Sequence, residues 1–149
     1  PPIGRRYNSR VRRWNDMKEK PRGLRNNNPL NIRIGNTWLG EVANPTDPDF
    51  EQFVTIYYGL RAAFVILRRY IRRYKRDTIS SIVSAWAPNS ENNTLRYIDH
   101  VSAAMKINPS EKLHYEDKAT MVALVLAMAH EECGVLLDAK VIEKAYDMA

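Results

Sequence analysis

The chain has 149 residues and a mass of 17.3 kDa, room for one domain around one core. At 44% apolar and 27% charged residues its composition is that of an ordinary folded protein and excludes a largely disordered one. The net charge of +6 is unevenly spread: residues 1–76 hold 17 Lys and Arg against 6 Asp and Glu, residues 77–149 hold 6 against 11. Such a split points to an anionic partner, either nucleic acid or another anionic polymer. The longest apolar run, Met121 to Ala129, is far short of the roughly 20 residues that a membrane span needs. No apolar signal-peptide core precedes the Arg-rich start, and a first residue of Pro1 points to a processed or excised domain. Cys133 is the single cysteine, which excludes an intrachain disulfide and argues against a cysteine-built metal site.

Residues 1–21 read as a basic N-terminal arm or a short helix, since Tyr7, Val11 and Trp14 recur at helical spacing among five arginines. Pro21 and Gly23 break the chain before a segment of loops and short strands. Asn26-Asn27-Asn28-Pro29 is strong turn chemistry. Asn31 to Ile34 alternates at period two, Gly35-Asn36 is a reverse-turn pair, and Thr37-Trp38-Leu39 is placed to return as the second strand of a hairpin. Pro45 to Asp49 is a further loop and Phe53 to Tyr57 a third candidate strand.

From Gly59 the pattern is helical, with Leu60, Phe64, Leu67, Ile71 and Tyr74 as the inner stripe and arginines on the other faces. Asp77 or Thr78 caps a short helix through Trp86, which Pro88 ends. Ser90 or Asn93 opens the next helix, its inner face Leu95, Ile98, Val101 or Ser102, and Met105. Asp117 caps an almost wholly apolar helix from Ala119 to about Glu132, closed by Gly134, and a last helix runs from Asp138. The expected architecture is α+β: a small N-terminal β-lobe followed by a bundle of about five helices.

Three segments carry candidate chemistry. The apolar helix ends in His130-Glu131-Glu132-Cys133-Gly134, where burial and the macrodipole together raise a carboxyl pKa. That is what a general acid near neutral pH requires, although a Glu pair at a helix end is also common solvated surface. In Trp86 to Thr94, Ser90 or Asn93 is either an N-cap or part of a polar cleft wall that supplies a second carboxylate, Glu91. In Arg22 to Gly40, the amides of Asn27, Asn28 and Asn31 and the indole of Trp38 suit sugar hydroxyls and a pyranose face; the structural alternative is a self-bonded Asx turn. His100, His114 and His130 lack metal-ligand spacing, so neither a metal nor a cofactor is expected.

The strings RGLRNNNPLNIRIGNTWLG, FEQF, YYGLRAAFVILRRY and WAPNSENNTLRYIDHV, with the Glu-Cys-Gly near the C-terminus, resemble a family of phage virion-associated proteins. That family, with relatives in Bacteroides-type genomes, is regarded as lysozyme-like and peptidoglycan-degrading. The similarity spans residues 22–149; the Asn-rich motif also resembles, more weakly, the SNNLFGIK-type segment of bacterial glucosaminidases. The resemblance implies a lysozyme-like domain over 22–149, with the family's Glu-Asn-Gly falling on Glu132, Cys133 and Gly134. The chain departs from it at Cys133, and Glu131 is the substitute if a helix turn is shifted. Its Glu-Asn-Asp-Thr falls on Glu91, Asn92, Asn93 and Thr94, with Asn93 in place of Asp.

The leading expectation is a peptidoglycan-cleaving glycosidase, a muramidase or lytic transglycosylase. Glu132 is then the general acid, Glu91 the second carboxylate, and Arg25, Asn27, Asn28, Asn31, Arg33, Trp38, Asn92 and Thr94 the substrate-binding residues. Its setting is either phage-derived and virion-associated, or an antibacterial toxin such as a type VI secretion effector, delivered to a target periplasm and paired with an immunity protein. The alternatives are a non-catalytic glycan-binding or virion structural module, and a nucleic-acid binder using the Arg61–Arg76 face with Tyr70 and Tyr74.

Overall fold

The computed structural model describes residues 20–89 and 93–149. The basic arm expected over 1–21 lies almost wholly outside them. Among the described residues six helices follow in order: α1 (Arg22–Arg25), α2 (Ile56–Arg72), α3 (Ile79–Trp86), α4 (Thr94–Met105), α5 (Lys118–Cys133) and α6 (Ala139–Met148).

Local chemistry sets their boundaries. Thr78 caps α3 through a reciprocal box with Ser81, and the Asn93, Asp117 and Asp138 side chains accept the first free amides of α4, α5 and α6. Gly134 ends α5 in the left-handed conformation that suits glycine.

The helix α5 is buried on nearly every side, through Met121, Leu124, Val125, Met128 and Ala129, and the other helices assemble around it. α4 and α6 pack on α5, α6 also packs on α2, α3 packs on α4, and α1 touches the end of α5. The amphipathic α2 buries Leu60, Phe64, Leu67 and Ile71, as its stripe predicts. Tyr74 lies beyond the last turn and is 52% exposed. In α4 the expected inner face holds at Ile98, Val101 and Met105 and fails at its first position. Leu95 is 71% exposed, whereas Tyr97, Ile98 and Val101 face inward.

The expected β-lobe is absent: the described residues contain no strand or sheet, which overturns the α+β, lysozyme-like expectation. Two isolated antiparallel bridges, Arg33 with Phe50 and Glu41 with Phe53, are all that the alternation produces. The 31–34 segment meets 49–51 instead of folding back on 37–39, and the residues of the third candidate strand from Ile56 onward begin α2. Side chains organise the loop where a ladder would otherwise do so. Asp47 accepts from Arg22 Nε at 2.7 Å and Nη2 at 2.6 Å, from Asn26 Nδ2 at 2.8 Å, and from the Asp49 and Phe50 amides at 2.9 and 3.0 Å. Asn28, fully buried, donates to the Ile32 and Glu51 carbonyls and accepts the Ile32 amide at 2.9 Å. With Pro45 and Pro48 in the same stretch, these competing bonds interrupt any ladder. Gly59 fastens the loop to α2: a Cβ there would lie 1.8 Å from the Asn27 carbonyl oxygen.

Candidate active-site cleft

A cleft of about 420 Å³ opens where the C-terminal end of α5 meets the loop after α1 and the start of α4. Its walls are Asn31, Arg33 and Phe50 from the loop, Trp86 from α3, Asn93, Arg96 and Tyr97 from α4, and Glu131 and Glu132 from α5. A second hollow of about 450 Å³ adjoins it, sharing Asn31, Arg33 and Trp86, and continues past Asn36, Ile66, Arg69, Tyr70 and Tyr74. Together they form a groove with a carboxylate end and a basic aromatic end.

Glu132 is partly buried in the last turn of α5. Asn31 Nδ2 donates to its Oε1 at 3.0 Å and to its main-chain oxygen at 3.3 Å. Asn31 reaches this position from a left-handed backbone (φ 51°), a conformation that asparagine tolerates better than most residues. Burial pushes the Glu132 carboxyl above its ordinary range, and the Glu131 charge adds to the rise. Hydrogen bonds from Asn31 and the Tyr97 hydroxyl, with the Arg33 charge, pull the other way without cancelling it. Tyr97 is itself buried, its hydroxyl also within 3.5 Å of the Met128 carbonyl, and its pKa is well above that of a free phenol. Glu131 faces the rim, where its carboxylate meets His100 Nδ1. A carboxyl whose pKa is raised by burial, beside a donor amide in a cleft with Arg33 and Arg96, has the surroundings that a proton-donating group needs.

The other expected site residues divide sharply. Asn31 and Arg33 line the cleft. Asn27 and Asn28 serve the fold: Asn27 Nδ2 donates to the Phe53 carbonyl at 2.9 Å, and Asn28 is the buried hub described above. Trp38 is 7% exposed and belongs to the core, with the Arg69 guanidinium 5.7 Å above its ring. Arg25 is exposed and donates to the Lys20 carbonyl at 3.0 Å. Thr94 is buried with its hydroxyl donating to the Ala87 carbonyl at 2.5 Å, holding the α3–α4 connection. Glu91 and Asn92 lie outside the described residues. Cys133 points inward, its thiol donating to the Ala129 carbonyl at 3.0 Å, and burial pushes its pKa up to about 11. It does not line the cleft.

The aromatic wall comes from residues not assigned to sugar binding from sequence: Trp86, whose Nε1 donates to the Leu30 carbonyl at 2.9 Å, with Phe50 and Tyr97. Tyr97 was hidden because the expected stripe begins at Leu95, whereas the buried face of α4 runs through Thr94, Tyr97, Ile98 and Val101. No group of His, Cys, Asp and Glu among the described residues has metal-binding geometry. No helix among them is long and apolar enough to cross a membrane.

A mostly helical domain with a half-buried acid at the mouth of an aromatic, basic groove is the class that fold and cleft define. No family model matches the chain. It is 42% identical over 122 residues to protein P5 of Pseudoalteromonas phage PM2, covering 79% of this chain and 74% of that protein. The chain therefore belongs to the protein P5 family.

Proposed function

We propose that this protein is a peptidoglycan-cleaving glycosidase of phage origin in which Glu132 is the general acid. The observation that carries the reading is the Glu132 carboxyl, its pKa raised by burial, bonded to Asn31 and Tyr97, and opening on a cleft that a second hollow adjoins. Protonated Glu132 gives its proton to the glycosidic oxygen as the C1–O bond breaks, and the positive charge that develops on the sugar ring faces a newly ionised carboxylate. Glu131 and Glu132 are the carboxylates among the described lining residues, and they are chain neighbours on one helix end. This favours the lytic-transglycosylase outcome, in which Glu132 takes back a proton from the sugar's own 6-hydroxyl as that oxygen bonds to C1. Trp86 and Phe50 supply the apolar faces on which pyranose rings rest.

The relative is a phage protein, which supports the phage-derived, virion-associated setting over a secreted toxin with an immunity partner. The resemblance to virion-associated wall-degrading proteins supports the same reading. Zymography on purified cell walls is the test. Glu132→Gln should lower clearing by about 100-fold or more, and undiminished clearing would remove Glu132 from the mechanism. Mass spectrometry of the products separates anhydro from reducing ends. Glu91→Gln that abolishes activity and leaves the fold intact would replace the transglycosylase route with a paired-carboxylate one.

A further inference from the structure

The groove has two chemically different ends, and glycan cleavage accounts for only one of them. Past Asn31 and Trp86 the lining contains Arg69, Tyr70 and Tyr74 and, among the described residues, no acidic side chain. Two other arginines, Arg22 and Arg72, spend their guanidinium groups on carboxylates, Asp47 with Asp49 and Glu116 respectively. Arg69 has no ion pair among the described residues. Its guanidinium is instead steadied over the Trp38 indole at 5.7 Å. Just behind the lining, Arg76 stands 5.2 Å from the Tyr70 ring and 5.4 Å from Tyr74, and Arg73 stands 5.6 Å from Tyr74. Stacking on aromatics orders the planar cations while their N–H forks keep the capacity to bind an oxyanion.

A polymer seated on Glu132 must extend into this hollow or away from it. A neutral N-acetylglucosamine polymer gives a cluster of arginines nothing to bind. Peptidoglycan does, because every second sugar carries a lactyl-linked peptide whose free carboxylates project from the strand. Carboxylate is the group that guanidinium forks recognise in paired hydrogen bonds.

We propose that the Arg69–Tyr70–Tyr74 hollow is a binding site for the carboxylates of the peptide stem, so that the groove selects strands that bear stems. The site rests on the glycosidase reading of Glu132 and deepens it by naming the part of the substrate that it takes. The Tyr rings flank the peptide's first residues, and the arginines behind them hold the field positive across the hollow.

The test uses the full chain with Glu132→Gln, so that binding is read without turnover, and three immobilised ligands. These are stem-bearing glycan strands, the same strands with their carboxylates amidated, and a chitin oligosaccharide. The expected result is affinity for stem-bearing strands at least about tenfold above that for the other two, with the advantage lost when Arg69→Gln is added. Because Arg69 covers Trp38, the ligand comparison on the unmutated hollow decides the matter even if that variant folds poorly. Equal binding to all three ligands would overturn the stem site while leaving the glycosidase reading standing. Binding to none would overturn both. A single-stranded oligonucleotide that displaces the stem-bearing strand at lower concentration than free stem peptide would overturn the site in favour of phosphate recognition.

Discussion

The residue on which most depends is Glu132, whose pKa is set by opposing neighbours. Asn31 and Tyr97 donate to its charged form and hold the pKa down; Glu131 and burial push it up. A general acid must be protonated to act, so on the proposed role of Glu132 activity should fall as pH rises through that raised pKa. Asn31→Ala or Tyr97→Phe should move the alkaline limb of the pH–rate profile to higher pH, and Glu131→Gln should move it to lower pH. A profile unmoved by all three would mean that another group titrates. Cys133 supplies a control at the same scale. Buried and with its thiol pKa near 11, it should resist aromatic disulfide reagents in the native protein and react at once on unfolding. How much of the site was legible follows from the same residues. The place of Glu132, at the partly buried end of α5, could be read because a carboxylate ending an apolar helix is a local pattern. Asn27, Asn28 and Trp38 misled because composition cannot tell an amide that meets a sugar from one that meets a backbone carbonyl, and an indole does not announce its burial.

At the scale of elements, helices and loop obey different rules. The boundaries of α3 to α6 were legible because capping residues and apolar spacing are local, and α2 was recognisable though it starts earlier than its stripe predicts. The stretch from Asn26 to Thr55 was not legible, because its order comes from side chains bonding across more than 20 residues, as between Arg22 and Asp47. The Asp47 carboxyl is held far below the usual carboxylate range by Arg22, then Asn26 and two amides. A depressed pKa contributes stability that is present above about pH 4 and lost on acidification. Asp47→Ala should cost about 2–4 kcal/mol in denaturant unfolding at neutral pH, and the difference from the parent should shrink towards pH 2. Glu51 has the opposite sign. It is 7% exposed, and burial, with Glu41 alongside, pushes its carboxyl up to about 7. The folded state therefore binds more protons than the unfolded one between about pH 4.5 and 7, and stability falls with rising pH across that window. Glu51→Gln should flatten the fall, seen as a Tm that no longer drops between pH 5 and 8.

For the whole molecule, the charge asymmetry of the sequence reappears as a groove that has carboxylates at one end only. The end without them belongs to α2 and its continuation, and Glu131 and Glu132 of α5 stand at the other, beside Arg33 and Arg96. Long-range attraction to an anionic wall is screened as the Debye length shrinks from about 10 Å at 0.1 M salt to about 3 Å at 1 M. Wall binding by the Glu132→Gln protein should weaken steadily over that range, measured by co-sedimentation. Salt-independent retention would point to stacking on the aromatics as the dominant attraction.

The bond from Asn31 to Glu132 joins residues 101 positions apart. During synthesis the acid therefore cannot receive its tuning partner from a neighbour on the ribosome. It must wait until α5 is made and the earlier loop, fastened to α2 at Gly59, can close over the helix end. Long-range closures of this kind come late and slowly in folding. The chain thus emerges with Glu132 still without Asn31, and the contact between them forms only when nearly the entire fold is complete.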